Sequence, residues 1–407
     1  MLRIPRACEP ARHRRGWRVA LVAALAGALS ACAGGFPGSD SFSTKSTPPP
    51  VASEPVAQSA IGAGQIKVGL LLPLSAAGNA GLAGQSMRNA AELALAEFNN
   101  PNIQLLVKDD NGSAQGAQQA AQEALQEGAE IILGPLFAQS VTQAAQIART
   151  RNIPVIAFST DSNVAGRGIY LLSFLPETDV DRVVEYAIAQ GKRSYVGMLP
   201  DNAYGSVVEA EFKQVVARKG GRIVAIERYS SDSAKMAEAA KIIAQAAPRA
   251  DAIFIPDSGD GVIAAAQALG ANGVNLKRLQ VIGTGLWDDP RVFSDPALEG
   301  GWYPAPDSAG FRAFSERYRT RYGQDPVRTA TLAYDAVALV AALVKTQGQK
   351  RFAPETLTNA SGFAGIDGVF RFRPDGSNQR GLAVLKVTPS GGQVIAPAPR
   401  TFGPSAT

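Results

Sequence analysis

From Ile66 onward, short apolar runs alternate with longer amphipathic stretches. Lys67-Val68-Gly69-Leu70-Leu71-Leu72-Pro73 is almost continuously apolar, the pattern of a strand covered on both faces in a parallel sheet. Residues 81–98 follow with Met87, Ala90, Ala91, Leu93, Ala94 and Phe98 at helical spacing. The spacing predicts strands over 103–107, 130–133 and 154–158, separated by helices over 113–127 and 138–149, with Gly128 placed to end the first of these. After a strand over 169–173 the rhythm restarts. Helices are predicted over 179–189, 204–219, 234–246 and 261–269, with strands over 195–199, 223–229, 252–255 and 280–283. Such alternation builds βαβ units. The expected fold class is α/β, two Rossmann-like doubly wound lobes with parallel sheets. Two helices (309–322 and 328–346) and two strands (368–372 and 382–387) close the chain. This order implies that the chain crosses between the lobes more than once.

The N-terminal stretch follows a different pattern. Arg12, Arg14, Arg15 and Arg18 precede an apolar run over 19–31. That run is too short to span a bilayer and reads as the core of a signal peptide over 1–31. It ends in Leu29-Ser30-Ala31-Cys32, which matches a bacterial lipobox and makes Cys32 the expected lipidation site. Acyl chains on Cys32 would then tether the body to a membrane without a spanning helix. Residues 32–64, rich in Gly, Ser, Pro and Ala, are expected to form a disordered tether with a span of roughly 30 Å.

Charge and composition narrow the function. The 407-residue chain has 40 Lys plus Arg, 35 Asp plus Glu and a net charge of +5. Six arginines and Glu9 of the first 31 residues account for all of that excess. A neutral body argues against an electrostatic nucleic-acid partner. His13, the single histidine, and Cys8 lie in the same segment. The body therefore lacks Ser-His-Asp triads, Cys-His pairs and zinc sites of the His/Cys type. There is no G-x-S-x-G, S-x-x-K, G-x-G-x-x-G or P-loop string, and no cofactor is expected. Asp257 with Asp288 is the kind of carboxylate pair that could hydrolyse a glycoside, although paired acids on facing loops more often recognise ammonium or hydroxyl groups. Asp109-Asp110-Asn111-Gly112 could hold a cation, but a turn leading into a helix cap is the stronger reading.

In open α/β sheets, ligands sit beyond the carboxyl ends of the strands. Those positions here are 75–81, 109–113, 136–140, 159–161, 204, 257–260 and 284–289. They offer hydroxyls, carboxylates, an indole and free N–H groups at helix starts.

Several strings, in this order, carry a resemblance. They are Leu71-Leu72-Pro73-Leu74-Ser75, Leu133-Gly134-Pro135, Asn152-Ile153-Pro154-Val155-Ile156, Asp201-Asn202-Ala203-Tyr204-Gly205 and Ala333-Tyr334-Asp335. The chain resembles the type I periplasmic substrate-binding proteins of the leucine/isoleucine/valine-binding family. The resemblance implies two lobes joined by three hinge crossings, lobe one being 65–175 plus 304–357 and lobe two 176–303 plus 358–395, with a tail over 396–407. It also implies an extracytoplasmic protein that captures an amino-acid-like small molecule for an ABC permease. The implied site has Ser75, Asn79, Leu136, Phe137, Ser159 and Thr160 on lobe one, and Tyr204, Asp257, Thr284 and Trp287 on lobe two. This sequence departs from the family's amino-acid grip at Ala138, where a serine is usual, and at Gly285, where an acid is usual. Gly285-Leu286-Trp287 and the stretch 295–303 are also similar to lipid-anchored activators of penicillin-binding proteins, which implies a cell-wall synthase as the alternative partner.

Overall fold

The computed structural model describes residues 60–99 and 101–403. The expected signal segment, Cys32 and most of the expected tether lie outside the described residues.

The first lobe is laid down in order as β1 (Ala60–Ile61), β2 (Ile66–Leu72), α1 (Asn79–Glu97), β3 (Ile103–Asp109), α2 (Ala114–Gln126), β4 (Ile131–Leu133), α3 (Ala138–Arg149), β5 (Val155–Ala157) and β6 (Ile169–Leu171). Its sheet runs β1-β3-β2-β4-β5-β6, parallel from β3 to β6. The central strands are short and mostly buried, β4, β5 and β6 entirely so, because helices cover both faces. On one face α2 and α3 press alanines 120, 121, 124, 144, 145 and 148 onto the sheet. On the other, Met87 and Ala91 of α1 share a core with Leu332, Ala336 and Val340 from late in the chain.

The second lobe begins with α4 (Pro176–Ala189) and continues through β7 (Ser194–Pro200), α5 (Ala203–Arg218), β8 (Arg222–Tyr229), α6 (Ser233–Ala246), β9 (Ala252–Phe254), α7 (Gly259–Ala271), β10 (Gln280–Ile282), α8 (Pro290–Phe293) and β11 (Trp302–Ala305). The chain then returns to the first lobe as α9 (Ser308–Tyr322), α10 (Ala330–Thr346), α11 (Pro354–Leu357), β12 (Phe363–Gly365), β13 (Gly368–Phe372) and β14 (Asn378–Arg380). It ends in the second lobe with β15 (Ala383–Thr388) and β16 (Gly391–Ala396). The second sheet has the order β16-β15-β11-β10-β9-β7-β8, with β15 running antiparallel to β11. The chain thus passes between lobes three times, after β6, after β11 and after β14. Among the described residues, no helix is long and apolar enough to cross a membrane.

Two segments depart from the expected layout. Ala60–Ile61, expected to be tether, pairs antiparallel with Leu106 and Leu105 of β3, so the edge of the sheet is covered. Ile61 packs on the core. Residues 358–380, expected in lobe two, belong with lobe one. They form a separate antiparallel ribbon, β12-β13-β14, whose Phe370 and Phe372 are buried in the first lobe's core beside Tyr170. Only 383–396 joins the second sheet. The period-two alternation of Val369-Phe370-Arg371-Phe372 predicts a strand but not the sheet it joins.

Candidate ligand-binding cleft

Both sheets aim the carboxyl ends of their strands at the region of the three crossings, as the doubly wound order requires. A cavity of about 500 Å³ lies there. Its floor is the crossings themselves: Phe174 to Pro176, Pro304 to Pro306, and Arg380 with Leu382. Thr160 reaches it from the loop after β5, and Tyr204, Gly285, Leu286 and Asp288 from the loops after β7 and β10. Phe311 contributes from α9, and Arg328 from the loop between α9 and α10. Most of the lining is apolar, with few charges, as ligand pockets usually are.

The polar groups are held firmly. The Tyr204 and Thr284 hydroxyls lie 2.7 Å apart, and Thr284 is fully buried behind the tyrosine. Burial raises the Tyr204 pKa, and the nearby Asp179 charge adds to the rise. Asp179, in the first turn of α4, accepts the Gly285 N–H at 2.8 Å. Burial pushes its pKa up to about 7, with the Glu177 charge adding and the Gly285 bond and Arg380 opposing. Asp288 accepts the Tyr303 hydroxyl at 3.0 Å.

On the floor, Arg328 grips Asp367 with two bonds of 2.9 and 2.6 Å and lies 4.6 Å from the ring centres of both Phe174 and Phe311. Arg380 lies 4.5 Å from the Phe174 ring centre and donates Nε–H to the Ser173 carbonyl at 2.9 Å. Its Nη1 and Nη2 atoms are buried without a hydrogen-bond partner. Burial lowers its pKa, against the pull of the Asp367, Asp335 and Asp179 charges.

Of the residues expected from sequence, Thr160 and Tyr204 line this cavity, and Thr284 supports Tyr204. Asp288, weighed from sequence as one of a carboxylate pair, lines it too, and the remaining expected residues do not. Trp287 is fully buried in the second lobe's core and donates its indole N–H to the Ile255 carbonyl at 3.1 Å. Gly283 and Gly301 make room for the ring: a Cβ on Gly283 would sit 2.1 Å from it. Asp257 accepts the Tyr229 hydroxyl at 2.6 Å and the Ser258 N–H at 2.7 Å, so both its oxygens are engaged within its own lobe. This also separates its role from that of Asp288. Ser159 is buried, its hydroxyl accepting the Asp161 N–H. Ser75 bonds Asn111, and Asn79 is exposed at the start of α1. Leu136 packs on the first lobe's core, and Phe137 lies against Gly112. Asp109 to Gly112 form a turn closed by Asp side chains onto backbone N–H groups, followed by Ser113 as the cap of α2. Among the described residues no cluster suited to a metal ion occurs.

Sequence reasoning missed Asp179, Phe174, Phe311, Arg328 and Arg380. The strand-end rule leads to the sheet loops, and these five sit on the crossings, on α4 and α9 beside them, and in the loop between α9 and α10. The Phe174-Leu175-Pro176 string, which follows β6 and leads into α4, is the local signal that marks the first crossing.

A family model described as periplasmic binding protein matches residues 65–393. The chain belongs to the periplasmic binding protein family. Its fold is that of the type I members, and the family places the body outside the cytoplasm. Solved relatives share that fold. A Rhodospirillum rubrum protein provisionally assigned to branched-chain amino acid ABC transport superposes with a TM-score of 0.72 at 21% identity, covering 81% of this chain and 99% of its own. An ABC transporter substrate-binding protein of Desulfitobacterium hafniense, in complex with Leu, gives 0.60 at 19%, covering 81% and 99%. A Rhodopseudomonas solute-binding protein (R. palustris), in complex with benzoate, gives 0.55 at 21%, covering 84% and 99%. The penicillin-binding protein activator LpoA of Enterobacter sp. (strain 638) is 27% identical over 135 residues, 33% of this chain and 18% of that protein. The match thus spans less than a fifth of that relative's length.

Proposed function

We propose that this periplasmic binding protein is the lipid-anchored solute-binding component of an ABC importer, taking an amino acid or a similar small molecule. The observation that carries the reading is the cavity over the three crossings, lined from both lobes and holding Asp179 and Arg380 among apolar walls. Residues from two lobes around one cavity are what hinge closure needs in order to sequester a ligand. Binding without chemistry is consistent with a site whose charged groups serve recognition. Solved relatives bound to Leu and to benzoate support a small acid as cargo. Cys32 would carry the anchor, which incorporation of labelled palmitate should show, with loss in Cys32→Ser.

The test is calorimetry of the full chain in detergent against amino acids and small carboxylic acids, with X-ray scattering before and after addition. Binding with a more compact profile is the expected result. A rigid profile with no heat from any compound defeats it. The 135-residue similarity to the activator favours one other reading, a regulator of a penicillin-binding protein. Direct binding of a purified penicillin-binding protein, together with an inert cleft, would establish that reading instead.

A further inference from the structure

We propose that Arg380 is the anion anchor of the cleft, its two terminal nitrogens receiving the carboxylate of a small acid whose apolar body lies along Phe174, Leu286 and Phe311. The inference rests on the cleft reading above and names the chemistry of its ligand.

Arg380 is the last residue of β14, at the third crossing, and only 4% exposed. The Nε bond to the Ser173 carbonyl fixes the plane of the guanidinium. The start of β14 is fixed as well, because Asn378 donates to the carbonyls of Leu171 and Ser173, both at 2.8 Å. The group is therefore positioned in advance. Its Nη1 and Nη2 nevertheless have no partner. Three carboxylates are close enough to act on it electrostatically, yet none bonds it. Asp367 is taken by Arg328 and Thr331. Asp335 accepts the Ile366 N–H at 2.8 Å. Asp179 accepts the Gly285 N–H.

An unpartnered buried charge is unfavourable, and it persists where something else is gained. A guanidinium with two free nitrogens matches a carboxylate in geometry and in charge, with two parallel bonds. The rest of the wall supplies the body of the ligand with Phe174, Pro304, Leu286 and Phe311. Asp179 lines the same cavity and is close enough to act on the Arg380 charge, so an α-ammonium group would find a counterpart there and a simple acid would not need it.

The experiment uses four probes on the full chain in detergent: L-leucine, L-leucinamide, benzoate and benzamide. The wild type should bind at least one acid about 100-fold more tightly than its amide, the usual scale for a lost charged hydrogen-bond pair. Arg380→Gln should bring that ratio to within about threefold. Arg380→Lys, which keeps the charge but loses the fork, should retain only part of the preference. Arg380→Gln removes two unpaired buried nitrogens but also the Nε bond to the Ser173 carbonyl, so thermal melting first checks that it folds; if it fails to fold, the wild-type ratio and Arg380→Lys decide. A folded Arg380→Gln that keeps the acid-over-amide preference overturns the inference and leaves the cleft reading standing. Equal binding of acids and amides by the wild type does the same. No binding of any probe overturns both.

Discussion

Asp179 gives a pH dependence whose sign can be worked out. In the unfolded chain an aspartate titrates near pH 3.9, whereas here burial raises it to about 7. The groups facing it are the Gly285 N–H, Glu177, Arg380 and the Tyr204 ring. Between those two values the folded protein holds a proton that the unfolded chain has released. Stability from this group is therefore full below about pH 4 and is lost as pH rises through 7. Each pH unit between the two values removes about 1.4 kcal/mol, so the fall from about pH 5 to pH 7 has a ceiling of about 3 kcal/mol. Asp179 lines a cavity that water can enter, and solvent screening brings the expected figure to about 1–2 kcal/mol. Asp179→Asn mimics the protonated side chain and can still accept the Gly285 N–H. Urea unfolding should show the variant gaining about 1–2 kcal/mol on the wild type between pH 5 and pH 8. Asp335, also raised to about 7, acts equally in both proteins and cancels from the difference. A gap between variant and wild type that does not change from pH 5 to pH 8 would refute the reasoning.

Arg328→Met should destabilise the protein by about 3 kcal/mol, because it leaves Asp367, with no exposed side-chain surface, holding an uncompensated charge; thermal melting checks this, and an unchanged midpoint would show that the pair contributes nothing. Gly205→Ala places a Cβ 1.8 Å from the Pro200 carbonyl oxygen, so the start of α5 must move. A loss of about 1–3 kcal/mol is expected, with weaker ligand binding as the Tyr204–Thr284 contact shifts, and calorimetry reads both effects. Trp287→Ala should cost about 3–5 kcal/mol by emptying a core site, whereas a Trp287→Ala protein of unchanged stability with impaired binding would return the indole to the cleft.

The parts of this molecule that were legible in its sequence are those governed by local periodicity. The run ending in Leu70-Leu71-Leu72 is apolar at every position because helices cover both faces of β2, and burial of that kind leaves a direct signature. Tyr204 was legible for a related reason: it opens a helix directly after a strand, where the doubly wound topology puts ligand contacts. Trp287 has the same address, after β10, yet belongs to the core. The deciding residues are Gly283 and Gly301, and a glycine that admits an indole reads in sequence like a glycine that makes a turn. Arg380 and Asp367 illustrate the opposite case. They bound a stretch of fourteen positions, 367–380, that is rich in arginine and polar residues and looks solvent-facing, and they are buried because β12–β14 folds back on the first lobe. The crossings gather residues from 174–179, 304–311, 328 and 380–382 around one space. No single stretch of those carries a pattern of its own. Their shared property is position at the joints between lobes, and that is set by how three separate passages of the chain lie side by side. A cleft built on hinges therefore conceals its chemistry from periodicity while the sheets that carry it remain plain.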